Sequence, residues 1–271
     1  MSKLLKRSVI YTTGIISFIF TIVPESILGK YVICAKLAYE TNILLSRIII
    51  CLIVYSIIFL GCTLVANWRK SLRIKGKNYS IKILYKDIFE MNDCLKVIPF
   101  DECYTAKVGR AANEINSTSI CGQYLKKYPI EDMKTLIKAT GLQPMRSKSK
   151  YNKKERYESG TIIPREDYLL LAFTKLDHEG IGKMSREEYI ECLFLMWKEI
   201  DKYHEGKSVC IPILGSGVTR IDDKSLTQQE LLDIIIASYK MCSNKIKEPK
   251  QLFIVCRPSE NFELKDIGEY I

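Results

Sequence analysis

"SVCIPILGSGVTRI", Ser208 to Ile221, sets a short apolar run against a Gly-Ser-Gly turn that ends in an arginine. An apolar run this short, bounded by turn residues, reads as a fully buried strand. Gly215 and Gly217 permit positive φ and close backbone approach, so successive N–H groups at the turn can face a phosphate. A G-x-G turn is common, however, and the next helix cap, Thr227, stands well beyond it. An ordinary strand-to-helix turn is therefore the alternative reading of these residues.

Working outward, "DYLLLAFTKL" (Asp167 to Leu176) is a second buried-strand run. Ser185 with Glu188 makes a capping box that opens the helix "EEYIECLFLMWKEIDKY". Downstream, Thr227 with Glu230 repeats the device at the head of "QELLDIIIASYKMC", and "QLFIVC" (Gln251 to Cys256) closes the series. Strand, helix, strand, helix, strand implies βαβ units with a parallel sheet covered on both faces. Ligands of such sheets bind at the carboxyl ends of the strands, which is where Gly215 stands. Farther upstream, Ser80 to Phe89 and Leu95 to Phe100 read as strands. Pro129 to Gly141 reads as a helix with Met133, Leu136 and Ile137 on one face. Gly141 to Glu158 is polar and basic (Arg146, Lys148, Lys150, Lys153, Lys154, Arg156), either a solvated loop or an anion-binding arm.

The chain of 271 residues has room for one ordinary domain and an appendage. Its composition breaks at Asn67 to Lys70. Ser8 to Pro24 carries no charge and, accepting Glu25, the apolar stretch reaches Gly29; Ile48 to Trp68 is a second such stretch. Each approaches the roughly 20 residues that a helix needs to cross a bilayer. The two read as a hairpin, with Lys30, Lys36, Glu40 and Arg47 between them. Lys3, Lys6 and Arg7 precede the first stretch, and Arg69, Lys70, Arg73, Lys75 and Lys77 follow the second, so both ends are expected in the cytoplasm. A cleaved signal peptide is the rival, but no small-x-small cleavage site follows the run. The ten cysteines are scattered singly with no CxxC pair, a pattern of reduced, buried thiols. The net charge of +10 suits an acidic partner, and nucleic acid, anionic lipid and nucleotide phosphate all qualify.

Two further patterns invite chemistry. "DHEGIGKMSREE" (Asp177 to Glu188) imitates a calcium loop, with Gly182 at its sixth position, but Ile181 stands where an oxygen ligand belongs. Cys121, near a helix start, has His178 or His204 as a conceivable base, against the simpler reading of a buried structural thiol.

The stretches "EINSTSICGQYL" (Glu114 to Leu125), "YLLLAFTKLD", "YIECLFLMW" and "PILGSGVTRI" together resemble the macro-like domain joined to two transmembrane helices in bacterial Thoeris antiphage effectors. The resemblance implies a transmembrane helical hairpin over 1–68, a basic juxtamembrane linker over 69–78, and a three-layer α/β/α macro-like domain with a mixed, largely parallel sheet over 79–271. It implies a ligand derived from ADP-ribose, such as histidine-conjugated ADP-ribose, made by a TIR-domain partner that consumes NAD. Gly215, Ser216, Gly217, Val218 and Thr219 are then expected to wrap the diphosphate with Arg220 beside them, while Asn116, Ser117, Ser119 and Gly122 grip the distal ribose and phosphate. Asp101 and Glu102 are acidic candidates for the adenine.

The chain lacks the Asn-rich and Gly-Gly-Gly run of ordinary macro domains, and "AAN" at Ala111 to Asn113 matches it only in part. That departure favours sensing over ADP-ribosyl hydrolysis. The implied protein is thus a multi-pass inner-membrane effector with no catalytic or metal-binding residues, no cofactor and no nucleic-acid partner. It contacts membrane lipid and forms a homo-oligomer when activated. A membrane-tethered ADP-ribosyl hydrolase or a plain ADP-ribose reader is the alternative.

Overall fold

The computed structural model describes residues 3–24, 27, 38–67, 71–109, 111–150, 153–217, 219–259, 262 and 264. The chain divides into two compact units, the first built on residues 1–69 and the second on Lys70–Leu264.

The first unit holds helices α1 (Lys3–Ile22) and α2 (Tyr39–Asn67), packed on one another. Among the described residues, one helix is long and apolar enough to cross a membrane, over the 26 residues Tyr39–Leu64; α1 supplies a shorter apolar stretch, Ser8–Ile22. Of the two spans expected over Ser8 to Gly29 and Ile48 to Trp68, the second is thus matched by a helix of full length, while residues 25–26 and 28–29 of the first and Trp68 of the second lie outside the described residues. The second begins at Tyr39 because its polar residues are satisfied within the helix. Asn42 Nδ2 donates to the Ala38 carbonyl, and Ser46 Oγ to the Asn42 carbonyl. Ser8, Thr12, Asn42 and Ser46 are buried, and the Arg47 guanidinium lies 5.5 Å from the Phe20 ring centroid. Lys30, Lys36, Trp68, Arg69 and Lys70 lie outside the described residues. Among the described residues, all but three of the exposed large apolar side chains belong to this unit, the others being Met145, Phe194 and Met241.

The second unit is a mixed sheet of nine strands among the described residues: β1 (Ser71–Lys75), β2 (Ser80–Tyr85), β3 (Cys94–Asp101), β4 (Ile162–Arg165), β5 (Tyr168–Leu176), β6 (Gly182–Met184), β7 (Ser208–Pro212), β8 (Arg220–Ile221) and β9 (Leu252–Cys256). Its order is β1-β2-β9-β7-β3-β5-β6-β8, with β4 also on β5. The central strands β2, β9, β7, β3 and β5 are parallel; β1, β4 and the β5–β6 pair are antiparallel. Within the stretch expected as a linker, Ser71–Lys75 thus pairs as an edge strand.

Among the described residues, four helices flank the sheet: α3 (Ile120–Lys127), α4 (Met133–Ala139), α5 (Arg186–Tyr203) and α6 (Gln228–Met241). Alternation along the strands covers both faces. Ile98, Phe100, Leu170 and Ala172 join Tyr124, Leu125 and Ile137 in one cluster with α3 and α4. On the other side, Phe173 meets Tyr189 of α5 edge-on at 6.0 Å, and Trp197 of α5 meets Tyr239 of α6 at 4.9 Å while donating to Ser238 Oγ at 3.0 Å. Each large side chain buried this fully stabilises the layers by about 1.5–3 kcal/mol.

Both capping boxes are present, at Ser185 with Glu188 and Thr227 with Glu230. The helix expected from Pro129 begins at Met133 instead, because Asp132 accepts the Thr135 N–H as its cap. The strand expected to reach Phe89 stops at Tyr85, where Asp87 caps a 3₁₀ turn over Ile88–Glu90.

Candidate functional site

A cavity of about 400 Å³ opens at the carboxyl ends of the parallel strands, within the usual small-ligand range of roughly 300–1,000 Å³. Its floor is apolar, from Phe100 on β3, Phe173 on β5, Ile213 and Leu214 after β7, and Val255 on β9. The polar groups converge from the loops that follow those strands.

One wall is the loop after β7. Gly215 has φ +85°, so only glycine fits there without strain. Ser216 turns back on the strand, its N–H and Oγ both donating to the Ile213 carbonyl, at 3.3 and 2.7 Å. Gly217 has no positive φ, contrary to the expectation for both glycines, and a Cβ there would meet no atom within 4 Å. Gly182 closes this wall beneath Thr174 and Thr219, whose hydroxyl oxygens would lie 2.9 and 3.1 Å from any Cβ at that position.

The opposite wall is the turn that leads into α3. Asn116 Oδ1 accepts the N–H and Oγ–H of Thr118, both at 2.9 Å, and the Asn116 carbonyl accepts Ser119 N–H and Oγ–H. Ser119 then caps α3 by accepting the Gly122 N–H at 3.0 Å. Ser119, Ile120 and Cys121 line the cavity, so the positive end of the helix dipole and its first amides border the space, an arrangement suited to an anion.

Of the residues expected at the site, Asn116, Ser119, Gly215, Ser216, Gly217 and Thr219 line this cavity. Val218 lies outside the described residues. Ser117 and Gly122 do not border it: Gly122 is buried behind the turn, where a Cβ would stand 2.1 Å from the Asn116 carbonyl oxygen. Arg220 faces a different cavity, because it follows Thr219 on extended backbone and side chains alternate there. Sequence reasoning missed Lys86, Asp87 and Ile88 after β2, and Gln228 and Arg257 beside β9. Their strands are far apart in sequence and meet only through the order β2-β9-β7. Glu102 does not line the space, whereas Asp101 does.

The titratable groups here are poised for structure. Asp101 is buried, and burial raises its carboxyl above the ordinary range even though it accepts Thr105 N–H at 2.6 Å and Thr105 Oγ–H at 2.9 Å. Burial, and then the neighbouring Asp101, hold the Cys121 thiol well above its usual range, so it stays protonated. Neither histidine lines the cavity; His178 is exposed beside Glu179, and His204 sits beside Asp201 at the end of α5. A cysteine–histidine nucleophile is therefore not assembled. The calcium-loop pattern resolves into other roles. Asp177 Oδ1 accepts the N–H groups of Glu179 and Ile181, while Glu188 serves the α5 cap and pairs with Lys175.

The family model for the Macro domain of Thoeris protein ThsA matches residues 81–257. The curated Thoeris protein ThsA of Bacillus amyloliquefaciens (strain Y2) is 31% identical over 194 residues, covering 68% of this chain and 64% of that protein. The chain thus aligns with less than two thirds of that relative's length. Among solved structures, a mutant macrodomain from Oceanobacillus iheyensis aligns with TM-score 0.47 and 13% identity, over 75% of this chain and 100% of its own. The macrodomain of Thermus aquaticus DarG aligns at 0.40 and 14%, over 65% and 97%. On the two sequence matches, of which the family model takes in the cavity's glycine loop and α3 turn alike, this chain belongs to the Thoeris protein ThsA Macro domain family.

Proposed function

We propose that the second unit is the receptor for an ADP-ribose-derived signal and that the first is the membrane effector it controls, in defence against phage. The observation that carries this reading is the pairing of an anion-suited α3 terminus and a glycine loop across one apolar-floored cavity. A diphosphate fits between those walls, with the aromatic and aliphatic floor taking the nucleoside. Asp87, whose Oδ1 accepts the Phe89 N–H at 2.9 Å, offers a carboxylate to a nucleobase amino group at the β2 end.

The signal is an amino-acid conjugate such as histidine–ADP-ribose, made from NAD by a TIR-domain protein. α1 and α2 enter the inner membrane as a hairpin with both termini cytoplasmic. Signal binding favours an assembled form, because a ligand shifts an equilibrium by its difference in affinity for the two states. The assembled helices then breach the bilayer. Sensing rather than hydrolysis is supported by the protonated thiol of Cys121 and by Asp101, both of whose oxygens already accept hydrogen bonds from Thr105.

The test is calorimetric titration of the full chain in lipid nanodiscs with ADP-ribose and with histidine–ADP-ribose, followed by recovery and analysis of the ligand. Saturable binding with ligand returned intact is expected, with a change of oligomeric state on binding. Consumption of the ligand would replace the sensor with a hydrolase, and no binding by either compound would remove the reading altogether.

A further inference from the structure

The strands beneath the first cavity carry a second set of groups on their reverse side. Thr174, Gly182 and Thr219 line the first cavity, and the next residue on each strand, Lys175, Lys183 and Arg220, lines another cavity of about 480 Å³. These three cations are in register, Lys175 opposite Lys183 and Lys183 opposite Arg220. Like charges set directly opposite on neighbouring strands, about 4.8 Å apart, destabilise a sheet. Ion pairs with Glu188 and Asp177 offset part of that cost at Lys175 and Lys183, and none does so at Arg220 among the described residues.

The basic segment after Gly141 completes the ring. Arg156 is fastened, its Nε and Nη2 donating to the Ser147 carbonyl and Oγ and its Nη1 reaching Glu102 at 3.3 Å. Met145 N–H donates to the Arg156 carbonyl, Ser149 N–H donates to Lys154, and Ser149 is buried. So anchored, the segment brings Lys148 and Lys150 to the same cavity.

The four carboxylates on its rim are engaged as organisers. Glu102 holds Arg156, Glu188 holds Lys175 and caps α5, Asp223 lies 3.6 Å from Lys183, which also pairs with Asp177 at 3.4 Å behind the rim, and Asp222 accepts the Arg186 N–H. Among the described residues, no carboxylate stands within ion-pairing distance of Arg220 or Lys148. Six cations therefore line the concavity with four committed carboxylates on its rim and a fifth, Asp177, behind Lys183.

We infer that this second cavity is a binding site for a phosphate-bearing anion, distinct from the signal cavity and separated from it by the backbone of β5, β6 and β8. A phosphate group matches it because several ammonium and guanidinium donors converge on one compact, multiply charged acceptor. The inference does not depend on what occupies the first cavity.

The experiment is lysine footprinting of the full chain in nanodiscs by brief acylation, read by mass spectrometry. In phosphatidylcholine discs, inorganic pyrophosphate at millimolar concentration is expected to slow acylation of Lys148, Lys150 and Lys183 by about tenfold, the factor for a site nine-tenths occupied. Lys126 and Lys127 on α3, away from the cavity, should not change. A parallel arm replaces pyrophosphate with phosphatidylglycerol in the disc. Protection there supports the site with a lipid headgroup as the source, and protection by pyrophosphate supports it with a free phosphate. The exposed-loop variant Lys148→Gln/Lys150→Gln, and separately Arg220→Gln, should abolish protection at Lys183. Absence of protection in both arms overturns the inference. So does undiminished protection in both variants, or protection by polyglutamate alone.

Discussion

Replacing Gly122, which lies behind the α3 turn, with alanine should damage the second unit more than the same change at a glycine that lines the cavity. The added Cβ would stand 2.1 Å from the Asn116 carbonyl oxygen and 2.9 Å from Asn116 C and Ser117 Cα, all backbone atoms that no rotamer change can move. Relief to an ordinary contact of 3.4 Å requires α3 and the 116–119 turn to separate by about 1.3 Å. That movement breaks the Ser119 cap on the Gly122 N–H, now 3.0 Å long. Overpacking and the lost cap together cost about 3 kcal/mol, or roughly 6 to 12 °C in thermal midpoint for a unit of this size. Because Asn116 and Ser119 line the cavity, affinity for ADP-ribose should fall along with stability. Thermal unfolding followed at Trp197, beside a Gly217→Ala control whose new methyl meets open space, measures both. A Gly122→Ala protein that melts within a degree of the parent would refute the close approach and the role it gives this glycine.

Gly217→Glu should do the reverse, leaving stability within about 0.5 kcal/mol while abolishing binding; calorimetry beside denaturant unfolding separates the two effects. Asp101, raised by burial, makes the folded state bind more protons than the unfolded chain between the ordinary carboxylate range and its raised value, so its contribution to stability grows as pH falls through that window. Asp101→Asn should flatten that part of a plot of thermal midpoint against pH, and parallel plots would show that the group does not govern it. Cys121 should resist iodoacetamide at mildly alkaline pH until the protein is unfolded, a result read by mass spectrometry. Arg156→Ala leaves Glu102, whose side chain is 3% exposed, without its cation and should cost about 2 to 3 kcal/mol in denaturant unfolding, mostly recovered by adding Glu102→Gln.

What could be read from the chain was what short-range chemistry decides. The two capping boxes are closed within four residues, and the runs around Leu170 and Ile211 are too apolar to lie anywhere but inside a covered sheet. The turn at Gly215 was legible for the same reason. β1 was not, because "SLRIK" alternates basic and apolar residues and so reads as the positive flank of a membrane span as readily as an edge strand. β6 and β8 are only three and two residues long, too short for any periodicity. Half of the cavity was hidden for a topological reason. Asp87 and Arg257 approach it from opposite ends of the unit's sequence, and no local pattern reports that β2 and β9 are neighbours. Arg220 lines the other cavity because a one-residue step along a strand reverses the face, which a phosphate-loop argument reaching Thr219 does not take into account.

The antiparallel strand at the start of the sheet order has a colloidal consequence. A sheet edge is a template on which another copy's edge can polymerise, and crowding many copies onto one surface raises that hazard. Here the edge is β1, which keeps Leu72 and Ile74 partly covered while Ser71, Arg73 and Lys75 stand exposed. Arg73 is fixed there by Ser80 Oγ at 3.2 Å and Glu248 at 3.7 Å, so its bulk is a standing obstruction rather than a waving one. Two such edges paired antiparallel about Arg73 would set arginine against arginine, and paired in parallel register would set lysine against lysine as well, so they would repel. Association through this edge is thereby disfavoured, and any assembly of copies through other surfaces is protected from drifting into an amyloid-like ribbon.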